Sequence, residues 1–167
     1  MTAFVLMGVS GAGKTTVGKR AASELGLTFI EGDDFHPRRN VEKMSSGVPL
    51  TDEDRAPWID ALAAGVNDRS PRRDVIIACS ALSRSVRNRL RNAIGEPLHF
   101  VLLTADRAVI QKRLDARPRH YMKPGMLDSQ LAALEAPSDA ITIDVDRPLP
   151  EVCRELVARV RERSDSG

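Results

Sequence analysis

The chain has 167 residues, 42% of them hydrophobic and 29% charged, with a formal net charge of +2; this is the make-up of one domain able to bury an apolar core, and it excludes disordered and fibrous classes. The slight basic excess is spread along the sequence rather than massed in a block, so no nucleic-acid surface is indicated and a small anionic substrate is expected instead. Cys79 and Cys153 are too few for a disulfide framework, and the N-terminal apolar stretch lacks the basic flank and the length of a signal core or membrane span, so a reduced, cytoplasmic protein without membrane attachment is expected.

Taken in order, a β-branched apolar run predicts a strand at Ala3–Met7, and apolar residues three or four apart predict a helix over Thr15–Leu25. A second strand follows at Leu27–Ile30, and then Gly32–Thr51, which fits neither period. The remaining order is helix Asp52–Val66, strand Val75–Cys79, helix Arg84–Ile94, strand Leu98–Leu103, helix Arg107–Ala116, an irregular Arg117–Asp128, strand Ile141–Val145 and helix Glu151–Arg163. Strands alternating with helices predict a single α/β domain over residues 1–167, with three α/β/α layers and a mostly parallel five-stranded sheet. The two irregular stretches, each with Pro, Gly, His and basic residues, are the candidate substrate segment (about 32–60) and lid (about 117–128).

Between the first strand and the first helix stands Gly8-Val9-Ser10-Gly11-Ala12-Gly13-Lys14-Thr15, a match to GxxxxGK followed by Ser or Thr in the setting that motif requires. Glycines permit the turn that aims successive N–H groups at phosphate oxygens, and the following helix, through Thr16, adds the positive end of its dipole. Lys14 then reaches the β- and γ-phosphates of ATP or GTP while the Thr15 hydroxyl ligates Mg²⁺. The bland alternative is a glycine-rich turn that binds nothing. The third strand ends in Cys79-Ser80 and not in the Asp usual in motor-type and switch-type nucleotidases, so hydrolysis for mechanical work loses ground.

The second strand runs into Glu31-Gly32-Asp33-Asp34-Phe35-His36-Pro37, and ligands of open parallel sheets bind beyond the carboxyl ends of strands. While the chain stays extended Glu31 and Asp33 point to one side. Asp33 is assigned as the base that accepts the proton of the attacking hydroxyl, and Glu31 joins Thr15 as a Mg²⁺ ligand. One of the two aspartates is equally well a helix cap, and Asp34 is the candidate for that. His36 reads as a substrate contact or as a surface histidine. Arg113 and Arg117, four apart at the end of a predicted helix, suit a lid that brings one or two guanidinium groups over the phosphoryl group, Arg117 being nearer the lid; the alternative is the polar face of an amphipathic helix.

Gly32-Asp33-Asp34-Phe35-His36-Pro37 is followed by Asn40, Lys43-Met44-Ser45, Gly47, Pro49-Leu50, Asp52-Glu53-Asp54-Arg55 and Pro57-Trp58, then by Cys79-Ser80-Ala81-Leu82 with Arg87 and Arg91, and by His120-Tyr121-Met122, Leu127, Ser129-Gln130 and Leu134-Glu135. With the phosphate loop, this set resembles the bacterial gluconate kinases over nearly the whole chain. The resemblance implies the nucleoside-monophosphate-kinase type of fold, often dimeric, and transfer of the γ-phosphate of ATP, with Mg²⁺, to the 6-hydroxyl of D-gluconate. Such an acceptor needs a guanidinium for its carboxylate, for which Arg87 and Arg55 are candidates, and polar groups for its hydroxyls, for which His36 and Lys43 are candidates; His120 either contacts substrate or anchors the lid. In related folds the turn Asp144-Val145-Asp146-Arg147-Pro148 packs on the adenine. Two positions depart from the family pattern: Lys123 stands where Pro is usual, and Glu31 where many relatives carry Asp. The rival readings are a shikimate-type kinase, echoed by Glu31-Gly32-Asp33, a nucleoside-monophosphate kinase, and a regulatory module that binds ATP without transferring phosphate.

Overall fold

The computed structural model describes residues 1–70, 74–95, 97–117 and 125–164. Five parallel strands form one sheet in the order β2-β3-β1-β4-β5, with β1 (Ala3–Met7) at its centre between β3 (Val75–Ala78) and β4 (Leu98–Thr104), and with β2 (Thr28–Glu31) and β5 (Ile141–Asp144) at the edges. Ala3 pairs in register with Val75 on one side and Leu98 on the other. Every residue of β1 is buried, as a strand covered on both faces must be.

Alternation divides the core. Phe4 and Leu6 face a layer made by α1 (Lys14–Leu25), α5 (Arg107–Asp115), α6 (Met126–Ala133) and α7 (Leu149–Ser164), while Ala3, Val5 and Met7 face α3 (Asp52–Arg69) and α4 (Arg84–Ile94). The expected three layers and all five strands are therefore present. Two stretches predicted as irregular contain helix: Gly32–Phe35 forms a 3₁₀ turn and Arg38–Ser45 forms α2, while α6 begins at the end of the expected lid segment. Among the described residues no helix is long and apolar enough to cross a membrane.

The segment that carries the acidic residues is pinned from outside. Thr51 and Asp54 open α3 with a reciprocal capping box, the Thr51 hydroxyl accepting from the Asp54 amide at 3.2 Å and the Asp54 carboxylate accepting from the Thr51 amide at 3.0 Å. Thirteen residues into that helix Gly65 lets the ring of Phe35 lie against the backbone: a Cβ built there would sit 2.2 Å from a ring carbon. Gly65→Ala must push Phe35 away, and with it the 3₁₀ turn; the expected result is a loss of about 1–3 kcal/mol in urea unfolding with the far-ultraviolet spectrum kept.

Candidate active site

The phosphate loop owes its shape to three glycines in the left-handed region, Gly8 at φ 142°, Gly11 at φ 87° and Gly13 at φ 93°. Two of them also allow close approach: a Cβ would lie 2.6 Å from the Leu103 carbonyl oxygen at Gly8 and 2.9 Å from the Leu114 side chain at Gly11. The Lys14 ammonium donates to the carbonyls of Gly8 at 2.9 Å and Val9 at 3.0 Å, which holds it across the mouth of the loop. Burial lowers its pKa, opposed by the negative charges of Asp33 and Glu31 and reinforced by Arg117. Three of the charged residues singled out from the sequence thus bear on one ammonium.

Beside the loop, Thr16, Val17, Arg113, Arg117, Val145 and Arg147 line a cavity of about 310 Å³ together with Gly11, Ala12 and Gly13. The turn after β5 therefore lines the cavity beside the loop. A guanidinium N–H of Arg113 donates to the Val145 carbonyl, so Arg113 shapes this cavity's wall, while Arg117 stands exposed at its rim. The Thr15 hydroxyl donates to the Glu31 carboxylate at 2.5 Å. Two hard oxygen ligands in contact at the start of α1 are the kind of donor that Mg²⁺ takes from a protein while phosphates and waters complete its shell.

At the acidic strand end the sequence reading needs correction. β2 stops at Glu31, and the 3₁₀ turn begins at once, so Glu31 and Asp33 are not alternate residues of an extended chain. Asp34 caps no helix: Glu31 is the N-cap of the turn, accepting from the Asp33 amide, and α2 opens on Pro37 with no side-chain cap. Behind Asp33 lies a buried aromatic support. The Trp58 indole N–H donates to the Gly32 carbonyl at 2.7 Å, and His36 stacks on Trp58 with ring centroids 4.2 Å apart.

His36 is no surface residue, its side chain being 5% exposed where that of Asp33 is 77% exposed. The Asn40 amide nitrogen, held by the Asp54 carbonyl at 2.8 Å, lies 3.4 Å from His36 Nδ1. An amide nitrogen can only donate, so Nδ1 accepts and the ring proton sits on Nε2, which faces the Asp33 carboxylate at 3.8 Å. Burial lowers the pKa of His36, against the pull of Asp33 and with the help of Arg55, which keeps the ring neutral at neutral pH.

A larger cavity, about 560 Å³, opens beyond β3 and is lined by Asp52, Arg55, Trp58, Ser80, Ser83, Arg84, Ser85 and Glu135 among others. It adjoins the loop, since the Gly8 amide donates to the Ser80 carbonyl at 3.2 Å. Arg55 lies on this cavity, its guanidinium in a loose 3.5 Å contact with Asp52, and so can turn to an anion. Arg87 does not meet the expectation set for it. Its guanidinium is buried and donates to the carbonyls of Ala81 at 2.9 Å, Leu82 at 2.8 Å and Glu135 at 2.6 Å, which makes it a brace for the cavity wall. Lys43 is likewise committed, donating to the Asp54 carboxylate at 2.8 Å. His120 and Lys123 lie outside the described residues.

Four supports were not assigned roles from the sequence: Trp58, Asn40, Gln130, whose amide engages Ser10 of the loop, and Glu135, whose carboxylate accepts from the Arg84 amide. Each stands in the motif segments quoted above, but its partner is a distant group that no residue pattern displays. Cys79 is buried at the floor of the site with its thiol pushed up to about 12 by burial, so it is no nucleophile.

Residues 4–137 match the family model described as an AAA domain. The chain is 42% identical to the thermoresistant gluconokinase of Escherichia coli strain K12, over 95% of this chain and 93% of that one. It is 46% identical to the gluconokinase of Gluconobacter oxydans strain 621H, over 81% and 76% of the two chains. In structure it resembles a crystallised gluconokinase from Sinorhizobium meliloti 1021, with a TM-score of 0.87 and 40% identity, covering 99% of this chain and 94% of that one.

The Asp54 carboxyl, braced by Lys43 and Thr51, is lowered from 3.8 to about 2. A carboxyl depressed by folding stabilises the fold fully above its unfolded value and ceases to do so as pH falls through its folded value. Urea unfolding of the protein is thus expected to lose this contribution between about pH 4 and about pH 2, and Asp54→Asn, less stable at neutral pH, to show a shallower fall over that window.

Proposed function

This chain belongs to the gluconokinase family, and from that premise we propose that it moves the γ-phosphate of ATP to the 6-hydroxyl of D-gluconate, with Asp33 as general base and Arg55 as carboxylate ligand. One observation supports this above others: Lys14 of the phosphate loop is faced by the Asp33 and Glu31 carboxylates, where a nucleotide cavity and a polar cavity adjoin. The shikimate-kinase, nucleoside-monophosphate-kinase and sensor readings give way to relatives of this identity and coverage.

In this reading the loop amides and the α1 dipole hold the triphosphate, and Lys14 turns from the Gly8 and Val9 carbonyls to the β- and γ-phosphates. Thr15 and Glu31 would hold Mg²⁺, which when bound neutralises phosphate charge. The acceptor lies in the polar cavity, its carboxylate paired with Arg55 and its hydroxyls among serine and arginine side chains. Asp33, exposed on its 3₁₀ turn, takes the proton of the terminal hydroxyl as the oxygen attacks phosphorus in line with the departing ADP oxygen. His36 Nε2–H, fixed in direction by Asn40 and 3.8 Å from the Asp33 carboxylate, is placed to donate to an acceptor hydroxyl. Arg117, the described residue at the nucleotide rim nearest the expected lid, supplies positive charge to the transferring group.

A coupled assay with Mg-ATP across gluconate, other aldonic acids, shikimate and nucleoside monophosphates is expected to show ADP release with gluconate; no acceptor-dependent release would overturn the reading. Asp33→Asn is expected to lower kcat roughly a hundredfold to ten-thousandfold with ATP affinity kept. Arg55→Met is expected to raise KM for gluconate on the order of ten- to a hundredfold with KM for ATP unchanged. A rise in the ATP constant instead would place Arg55 on the wrong substrate.

A further inference from the structure

We propose that Gln130 is a positioning residue for the phosphate loop, an anchor that holds Ser10 at the loop's apex in its nucleotide-binding shape. Its carboxamide oxygen accepts from the Ser10 main-chain N–H at 2.7 Å, across 120 residues of sequence, and its nitrogen donates to the Ser10 hydroxyl at 3.3 Å. One planar amide gripping a main-chain donor and the side chain of the same residue fixes both its own rotamer and that residue's orientation.

The helix that carries Gln130 is held by other means. Leu127 of α6 is buried in the cluster that contains Val9, Ile110 and Leu114, and Asp128 takes a bidentate pair from Arg107 at 2.6 and 3.0 Å. Beyond α6 the Glu135 amide donates to the Leu82 carbonyl at 3.0 Å, and its own carbonyl accepts from Arg87 at 2.6 Å. With α6 fastened independently, the Ser10 bonds serve the loop and not the helix.

The loop is the partner that needs an anchor. Glycines at positive φ on either side of Ser10, at 8 and 11, leave it conformationally free, and its amides, aimed toward one concavity, repel one another. Every degree of freedom still open in the unliganded loop is an ordering cost charged to nucleotide binding. Gln130, which is not among the residues lining the cavity beside the loop, removes part of that cost by supplying an acceptor for the Ser10 amide. A side-chain amide is neutral, so it anchors the amide without adding a negative charge beside a triphosphate; a carboxylate at this position would bind the same N–H and repel the ligand.

This inference rests on the reading of Gly8–Thr15 as the nucleotide cradle of the proposed kinase. Two variants test it: Gln130→Met, of similar shape without hydrogen bonds, and Gln130→Asn, which withdraws the amide by one methylene. Calorimetry with ADP and with ATP, in the absence of gluconate, is expected to show about a tenfold loss of affinity in both. KM for ATP should rise in step, KM for gluconate should stay within about twofold, and the melting temperature without nucleotide should be kept. Hydrogen exchange of the segment spanning residues 8–15 should quicken while that of residues 126–133 does not. Unchanged nucleotide affinity in a folded variant would overturn the proposal, as would equal rises in both Michaelis constants or the failure of both variants to fold. Absence of gluconate-dependent turnover in the wild type would count against the functional reading alone, since the nucleotide calorimetry is independent of the acceptor.

Discussion

A row of main-chain amides can converge on a phosphate only if nothing else occupies the space they enclose, and that constraint governs the whole of this molecule. It demands backbone angles at Gly8, Gly11 and Gly13 that side chains rarely adopt, and it brings Gly8 against β4 and Gly11 against α5 too closely for a Cβ. It also requires the loop to spring from a strand that cannot move. β1, central in the sheet and buried along its length, meets that need, and the Gly8 amide tied to the Ser80 carbonyl carries the same rigidity to the neighbouring strand end.

The acidic side is built differently. Asp33 stands exposed on a short 3₁₀ turn, an element too small to be rigid by itself. Its position comes from what lies behind it: Trp58 on the Gly32 carbonyl, His36 stacked on Trp58, Asn40 on His36, and Phe35 against Gly65. Lys43, Asp54 and Thr51 lock the α2–α3 junction from which Trp58 projects. Two residues that read as substrate contacts in the sequence, His36 and Lys43, thus belong to this support, and precision at one carboxylate is spread over seven side chains.

The parts legible in the sequence are those whose cause is local. A short β-branched apolar run reads as a strand wherever it falls, and all five strands stand where such runs predict them; GxxxxGK with Thr names its own turn, because the glycines are needed for backbone reasons visible at the site itself. α2 was hidden because only Asn40 of its eight residues is buried, which leaves no apolar stripe to count. α6 was hidden by its length of eight residues behind a Pro- and Gly-containing stretch, with Leu127 alone fully buried. Arg87 misled for a related reason. An arginine on a helix after β3 carries the same letter whether its guanidinium meets a carboxylate or three main-chain carbonyls, and one of those carbonyls lies 48 residues away.

The two cavities divide the work by chemistry. In the proposed function the nucleotide side is the cavity walled by loop backbone and by Val17, Val145, Leu149 and Val152, a surface suited to a flat apolar base with phosphates led toward amides. On the proposed acceptor side, Ser80, Ser83 and Ser85 stand with Arg55, Arg84 and Asp52, groups able to pair with the hydroxyls and the carboxylate of a sugar acid and that a flat apolar ligand would leave unpaired. Phosphoryl transfer then needs little covalent chemistry from the protein, since the reaction asks for alignment and for charge placed where it develops. That is why the supports of Asp33 and of the loop, not further catalytic groups, account for so much of this small chain.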